Sequence, residues 1–233
     1  MELSYEFKTL ERSEIDECAK LVARVFALYD PFIVELKITE YEMFVRTKSD
    51  LEKAVDDQLI TICKTKTNKI IGCFVGFRWS NENFERKEVA HIPTHYKIND
   101  ALSQEDRFNI LVNIDGYMLG DCHELRKKRK ELDLCVYSDY YCVAEEYFRS
   151  NLNAELIFQH FKRLQSKGIK YGYGSFFNPK AIKLVINYVP FQQVKELSLI
   201  LENMKNEKKS FKVLLLFGEI DKFDFNKTIK PKL

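Results

Sequence analysis

The run Val143-Ala144-Glu145-Glu146-Tyr147-Phe148-Arg149-Ser150-Asn151-Leu152-Asn153-Ala154-Glu155-Leu156 holds the residue types and spacing best suited to chemistry in this chain. It joins a strand-like run to a helix-like run through a short turn. A strand feeding a helix this way aims successive backbone N–H groups at one point, and the helix N-terminus adds its dipole. That point is a seat for phosphate. Such turns favour residues that tolerate φ > 0, glycine first and asparagine next. Asn151 and Asn153 hold two turn positions here. The run is therefore a diphosphate-binding turn, a degenerate relic of one, or an ordinary strand–helix corner.

Other chemistry-bearing residues point less sharply. His91 and His95 are four apart, as helix metal ligands would be, but Pro93 lies between them and no third ligand is evident, so no metal is expected. His160 lies on the apolar side of a helical pattern and reads as a core-edge histidine, and His123 has no nameable partner. The basic run 126–130 suits a nuclear signal, a phosphate patch or a solvated helix C-terminus, the last being the simplest. The six cysteines form no CxxC pair and mostly sit among apolar neighbours, as buried free thiols of a reducing compartment do.

The elements that must position the turn follow from periodicity. Residues 5–10 alternate as a strand, and Ser13 is the expected cap of a first helix carrying Ile15, Cys18, Leu21, Val22, Val25 and Phe26. That helix stops at Asp30-Pro31, since the residue before proline is pushed out of the α region. Thr39 caps a second helix. Runs 59–64 and 69–79 are strands with Thr67-Asn68 between them at hairpin distance. Residues 81–131 turn polar and helical, with Phe108, Leu111, Val112, Ile114, Met118 and Leu119 in one amphipathic pattern. Then come strand 132–143, helix 152–165 ended by Gly168, strand 170–177, a helix started by Asn178-Pro179, and strands 192–202 and 211–220. The tail from about 224 looks frayed.

The chain of 233 residues suits a single α/β (α+β) domain, with a mixed, mostly antiparallel sheet of about seven strands, helices on both faces and a helical insertion before the fourth strand. Its 45% apolar share is ample for a core. Lys+Arg of 37 nearly cancel Asp+Glu of 35, so no nucleic-acid partner is expected. Residues 1–8 do not resemble a signal peptide, and no apolar run approaches the ~20 residues that span a bilayer. A cytoplasmic protein without membrane partners, monomeric or weakly homodimeric, is the expectation.

This element order, with the residues quoted, resembles the GNAT superfamily of acetyl-CoA-dependent N-acetyltransferases over most of the chain. The superfamily turn reads roughly V-x-P-x-Y-R-G-x-G-x-G-x-x-L; Val143, Glu145, Tyr147, Phe148, Arg149, Asn151, Asn153 and Leu156 stand in its places. The spacing, the tyrosine and the apolar helix positions match, while the arginine and three glycines are replaced. A second block, N-x-x-A-x-x-L before a glycine–phenylalanine, is matched by Asn178, Ala181, Leu184 and Pro190-Phe191 with one extra residue. A third, Phe26 to Phe32, looks like the F-x-x-x-E-P-L element of invertebrate-type arylalkylamine N-acetyltransferases, with Asp30 at the place of the glutamate.

The resemblance implies roles. Tyr141, Cys142 and Val143 would hold the pantetheine arm, with the Val143 N–H facing the thioester oxygen. The backbone N–H groups of Arg149, Ser150, Asn151, Leu152, Asn153 and Ala154 would hold the diphosphate of acetyl-CoA, and Asn178 would lie beside them. Arg149 could pair with a phosphate oxygen. Asp30 is the candidate base, acting through water or with a pKa raised by burial; its competing reading is a helix-end turn residue. Val185 stands at the superfamily's usual acid tyrosine, which leaves Tyr188, and then Ser175, as candidate acids. The implied function is acetyl transfer to a small primary amine, with an arylalkylamine as one candidate. The lost glycines keep a second reading open: a degenerate domain acting as a binding or regulatory module.

Overall fold

Two local rules, capping and punctuation, set most element boundaries in the computed structural model, which describes residues 5–79, 89–120, 128–189 and 191–223. Between strands β1 (Tyr5–Thr9) and β2 (Ile60–Thr65) lie helices α1 (Ile15–Tyr29), α2 (Pro31–Glu35) and α3 (Glu40–Ala54). Ser13 does not cap α1: it sits inside a 3-10 turn, Arg12–Glu14, whose Glu14 reaches back to the Glu11 N–H at 3.0 Å. Thr39 caps α3 as expected, accepting from Glu42 N at 3.3 Å while Glu42 returns to the Thr39 N–H. The hairpin from β2 to β3 (Ile70–Arg78) turns on Asn68, at φ 68°.

After β3 come β4 (His95–Lys97), α4 (Gln104–Gly120), β5 (Cys135–Val143), α5 (Leu152–Ser166), β6 (Tyr171–Phe176), α6 (Pro179–Tyr188), β7 (Gln192–Glu202) and β8 (Lys208–Glu219). Gly168 follows α5 at φ 73°. Asn178 caps α6, its Oδ1 accepting from Lys180 N at 3.0 Å, with Pro179 in the first helical position.

The strands form one eight-stranded sheet in the order β1-β2-β3-β5-β6-β8-β7-β4. Pairing is parallel between β5 and β6 and between β4 and β7, and antiparallel elsewhere. The sheet has one strand more than expected. The addition, β4, lies inside 81–131, where a helical covering was expected; His95–Lys97 pair with Ile200, Leu201 and Glu202, and His95 Nε2 sits 2.8 Å from the Glu202 carboxylate. Three residues are too few for an alternating pattern to be seen. The expected insertion is described only at 89–120 and 128–131, and the expected tail lies outside the described residues.

A core lies on each face. Val22, Phe32, Met43, Leu51, Ile114 and Met118 fill one, beneath the helices of the first half and α4. Leu156, Phe161, Val185 and Phe191 fill the other, beneath α5 and α6. Strand β3 serves both: Cys73, Val75 and Phe77 face the first side and Phe74 the second by alternation, while Ile71 reaches the second at the register shift opposite Cys63 and Lys64.

Candidate active site

Strand β5 departs from simple alternation. Its register with β3 shifts between Phe74 and Gly76, so Asp139 and Tyr140 together face Val75. This bulge flips the strand's parity: Tyr137 faces the first core, and beyond the bulge so do Tyr140 and Cys142. On its other edge β5 pairs with β6 only where Cys135, Val136 and Tyr137 meet Tyr171, Gly172 and Tyr173. Beyond that the two strands part. The fork begins where backbone meets backbone: a Cβ on Gly174 would stand 2.7 Å from the Ser138 carbonyl oxygen, so only glycine fits.

The fork opens a cavity of about 630 Å³ that reaches from the β5–α5 corner to α4. At the corner end the Ala144 N–H donates to Ile71 O on β3 at 2.8 Å. Strand alternation then turns the backbone groups of Val143 and Tyr141 the other way, toward the fork. Within the turn, Ser150 N donates to Tyr147 O at 3.0 Å, and Leu152 N to Ser150 Oγ at 3.2 Å. Those two amides are committed to the turn itself. The N–H groups of Arg149, Asn151, Asn153 and Ala154 have no acceptor among the described residues. They converge at the N-terminus of α5, the arrangement that suits an anion.

The turn reaches this shape without the conformations expected of it. Asn151 is right-handed at φ −69°, and no residue from 143 to 156 has positive φ. The asparagines are therefore not stand-ins for glycine's left-handed freedom. Asn153 acts as a brace instead. Its Oδ1 accepts the Tyr141 hydroxyl at 2.7 Å, and its Nδ2 donates to Phe148 O at 3.3 Å. Phe148 packs edge-on against Tyr29 at 5.0 Å, and the Tyr29 hydroxyl bonds to Glu145. The turn is thereby clamped to the end of α1, one residue before Asp30. Arg149 is exposed at the cavity mouth and makes no ion pair among the described residues.

Asp30 is a helix-end residue that also lies in the cavity wall. Its Oδ1 accepts from Phe32 N at 3.0 Å and Ile33 N at 3.1 Å, capping α2, and its side chain also lines the cavity. Burial lifts the carboxyl above the usual aspartate range, against the lowering pull of those two amides and of the Asn178 side chain. Two segments flagged separately in the sequence thus meet, helped by the Phe32 and Phe177 rings at 4.7 Å. Cys142 lines the cavity, its Sγ 3.7 Å from that of Cys73 on β3. Val185 is buried in the second core. The side chain of Tyr188, Pro190, His123 and Cys122 lie outside the described residues.

Sequence reasoning passed over Asp115. It stands on α4 four residues from Leu111 and from Leu119, on the stripe that lines the cavity. Burial pushes its pKa up to about 7, opposed by the neighbouring Ser175 and Tyr137 hydroxyls and by the charge of Arg46. The signal was present: one acid interrupting an otherwise apolar helix stripe. His160 behaves as a core histidine, stacked on Phe74 at 4.0 Å and held 3.1 Å from Thr61 Oγ1, with burial lowering its pKa to about 3. Among the described residues no group of His, Cys, Asp and Glu is placed to hold a metal, and no helix is long and apolar enough to cross a membrane.

No protein-family model matches the chain, and no curated protein matches it by sequence. Solved structures do match. The mosquito arylalkylamine N-acetyltransferase-like 5b superposes with a TM-score of 0.67 at 13% identity, over 93% of this chain and 100% of that one. The chain has the GNAT fold. The C-terminal condensation domain of Ebony, in complex with β-alanyl-dopamine, gives 0.66 at 14% identity, over 93% and 99% of the two chains. An agmatine N-acetyltransferase in apo form gives 0.61 at 12%, over 92% and 99%. At these identities the likeness is one of fold. The fork and the turn are made by backbone, so they depend little on which side chains stand there.

Proposed function

We propose that the protein transfers an acetyl group from acetyl-CoA to a small primary amine, with arylalkylamines as the leading acceptor class. The observation that carries this reading is the cavity. It joins a set of acceptor-less amides at a helix N-terminus to a buried end lined by carboxylates. The residues fit the donor. The N–H groups of Arg149, Asn151, Asn153 and Ala154 suit a diphosphate, Arg149 suits a further phosphate oxygen, and the β5 edge at Tyr141 and Val143 suits an extended pantetheine arm. Acetyl-CoA, when bound, supplies the activated acyl thioester. The protein's part is to align the acceptor amine, exclude water and take its proton. Asp30 is a candidate for that proton, as the resemblance implies. The names of two structural neighbours, an arylalkylamine N-acetyltransferase-like protein and an agmatine N-acetyltransferase, support an amine as substrate.

A second reading has its own observation. The Asn153 carboxamide is tied to Tyr141 and Phe148, so part of the corner is filled by side chain. This favours a degenerate domain that binds without turning over. Calorimetry with acetyl-CoA and CoA, together with mass spectrometry for N-acetyltryptamine, separates the two. Binding with product supports transfer; binding without product from a panel of amines supports the module; absence of binding at millimolar ligand rejects both.

A further inference from the structure

Among the described residues Asp115 makes no ion pair, although the charge of Arg46 reaches it. Its Oδ1 is closed to water and has no donor within hydrogen-bond distance among those residues, and Ser175 Oγ beside it likewise has no partner there. Among the described residues, Tyr137 on β5, Ser175 on β6 and Arg46 on α3 act on it, and Asp139 on β5 lines the same cavity. Arg46 is the cation whose charge reaches it among the described residues, and its Nε already sits 3.0 Å from Asp50. Asp50 in turn accepts the Tyr140 hydroxyl at 2.7 Å, and Asp139 also draws on the Arg46 charge, so that charge is shared with other carboxylates. A carboxylate buried without a cation is costly, and leaving an acceptor oxygen unsatisfied adds to the cost. Both costs vanish if a cation with N–H donors arrives from the cavity.

We propose that Asp115 receives the ammonium group of the acceptor and is its proton acceptor. This rests on the transferase reading above and narrows it. Asp30 is the poorer receiver, because its Oδ1 is already held by two backbone amides. The aromatic and aliphatic side chains Phe26, Phe108, Leu111 and Phe177 around the same space accommodate an apolar skeleton behind the ammonium. In the step itself one ammonium N–H bond breaks, its electron pair stays on nitrogen, and the proton forms an O–H bond on Asp115. The neutral amine attacks the acyl thioester, and the tetrahedral adduct's second nitrogen proton leaves with the departing thiolate as thiol. Asp115 then returns its proton to solvent, for a net release of one.

The test uses full-length protein saturated with acetyl-CoA or desulfo-CoA. Calorimetry compares tryptamine with its neutral isostere tryptophol on the wild type and on Asp115→Asn. The wild type should prefer tryptamine at least about tenfold, and the variant should lose that preference while acetyl-CoA affinity stays within about twofold. In turnover, kcat/KM for tryptamine should fall at least about a hundredfold in Asp115→Asn, with the acidic limb of its pH profile removed. Wild-type kcat/KM in the variant, equal binding of tryptophol and tryptamine, or no binding of tryptamine, dopamine or agmatine at millimolar concentration overturns the proposal. The tryptophol comparison needs only wild-type protein, so it decides the matter even where the variant fails to fold. Failure of acetyl-CoA to bind the wild type is a separate result and falls on the transferase reading instead.

Discussion

The two ends of the cavity are built from different material. At the β5–α5 corner the useful groups are backbone amides, presented by a strand, a turn and a helix that follow one another in the chain. At the α4 end they are side chains from the α1–α2 junction, α4, β5 and β6, brought together from positions 30, 115, 137 and 175. Backbone donors survive substitution. The corner therefore has its form without the arginine and glycines of the motif it resembles. Side-chain sites do not survive substitution, and their chemistry depends on a few atoms held by packing. This difference predicts which changes the protein tolerates.

The largest effect on stability is expected at the hinge between the two ends. Gly174→Ala places a Cβ 2.7 Å from the Ser138 oxygen, so the fork must shift. A cost of about 1–3 kcal/mol in stability, read by thermal or urea unfolding, should accompany at least about a tenfold loss of acetyl-CoA affinity. Unchanged melting and binding would mean that the fork is not rigid.

Next comes Asp30→Asn, which keeps a good helix cap while removing the charge. It should leave unfolding nearly unchanged but lower kcat/KM about tenfold. A wild-type rate would reduce Asp30 to its structural role.

The acceptor end should also reveal itself through pH. The folded pKa of Asp115 is raised to about 7, above its unfolded value. The fold therefore disfavours its ionised form. Below the unfolded value the group is neutral in both states and costs nothing. As pH rises toward 7 the penalty grows, and above 7 it is full. Asp115→Asn should accordingly melt higher than wild type at pH 8 and equally at pH 3. The same shift at both pH values would show that the carboxyl is not perturbed as described.

Smaller effects belong to the corner, where side chains count least. Arg149→Ala should weaken acetyl-CoA binding about three- to tenfold and reduce its salt dependence. Asn153→Gly should cost about 1 kcal/mol of stability through the lost brace and the helix propensity of glycine, with acetyl-CoA affinity equal or tighter. A marked loss of affinity in that variant would show that the Asn153 carboxamide itself holds the ligand.

Much of the frame was legible in the chain. The Thr39 box, the Asn178-Pro179 start, the Gly168 stop and the Asn68 hairpin are local signals, and each lies where residue type alone suggests. The first helix start was misplaced because glutamates, not Ser13, make the box there. Strand β4 was missed because three residues show no period, and the β5 bulge because its two-residue step looks like continued alternation. Asp115 was passed over for another reason. On a helix stripe one acid reads as noise until the tertiary fold shows what it faces.

By itself, then, the sequence determined the order of strands and helices and the corner where a strand hands its amides to a helix. Those are set by neighbours a few residues apart, through capping, periodicity and turn chemistry. Only the tertiary structure decided that β5 and β6 part beyond Tyr137 and Tyr173, that Asp30 meets Asn178, and that Asp115 lies in the cavity wall with an unpartnered oxygen among the described residues. Those depend on contacts between residues far apart in the chain, where burial, not residue type, sets what a carboxyl can do.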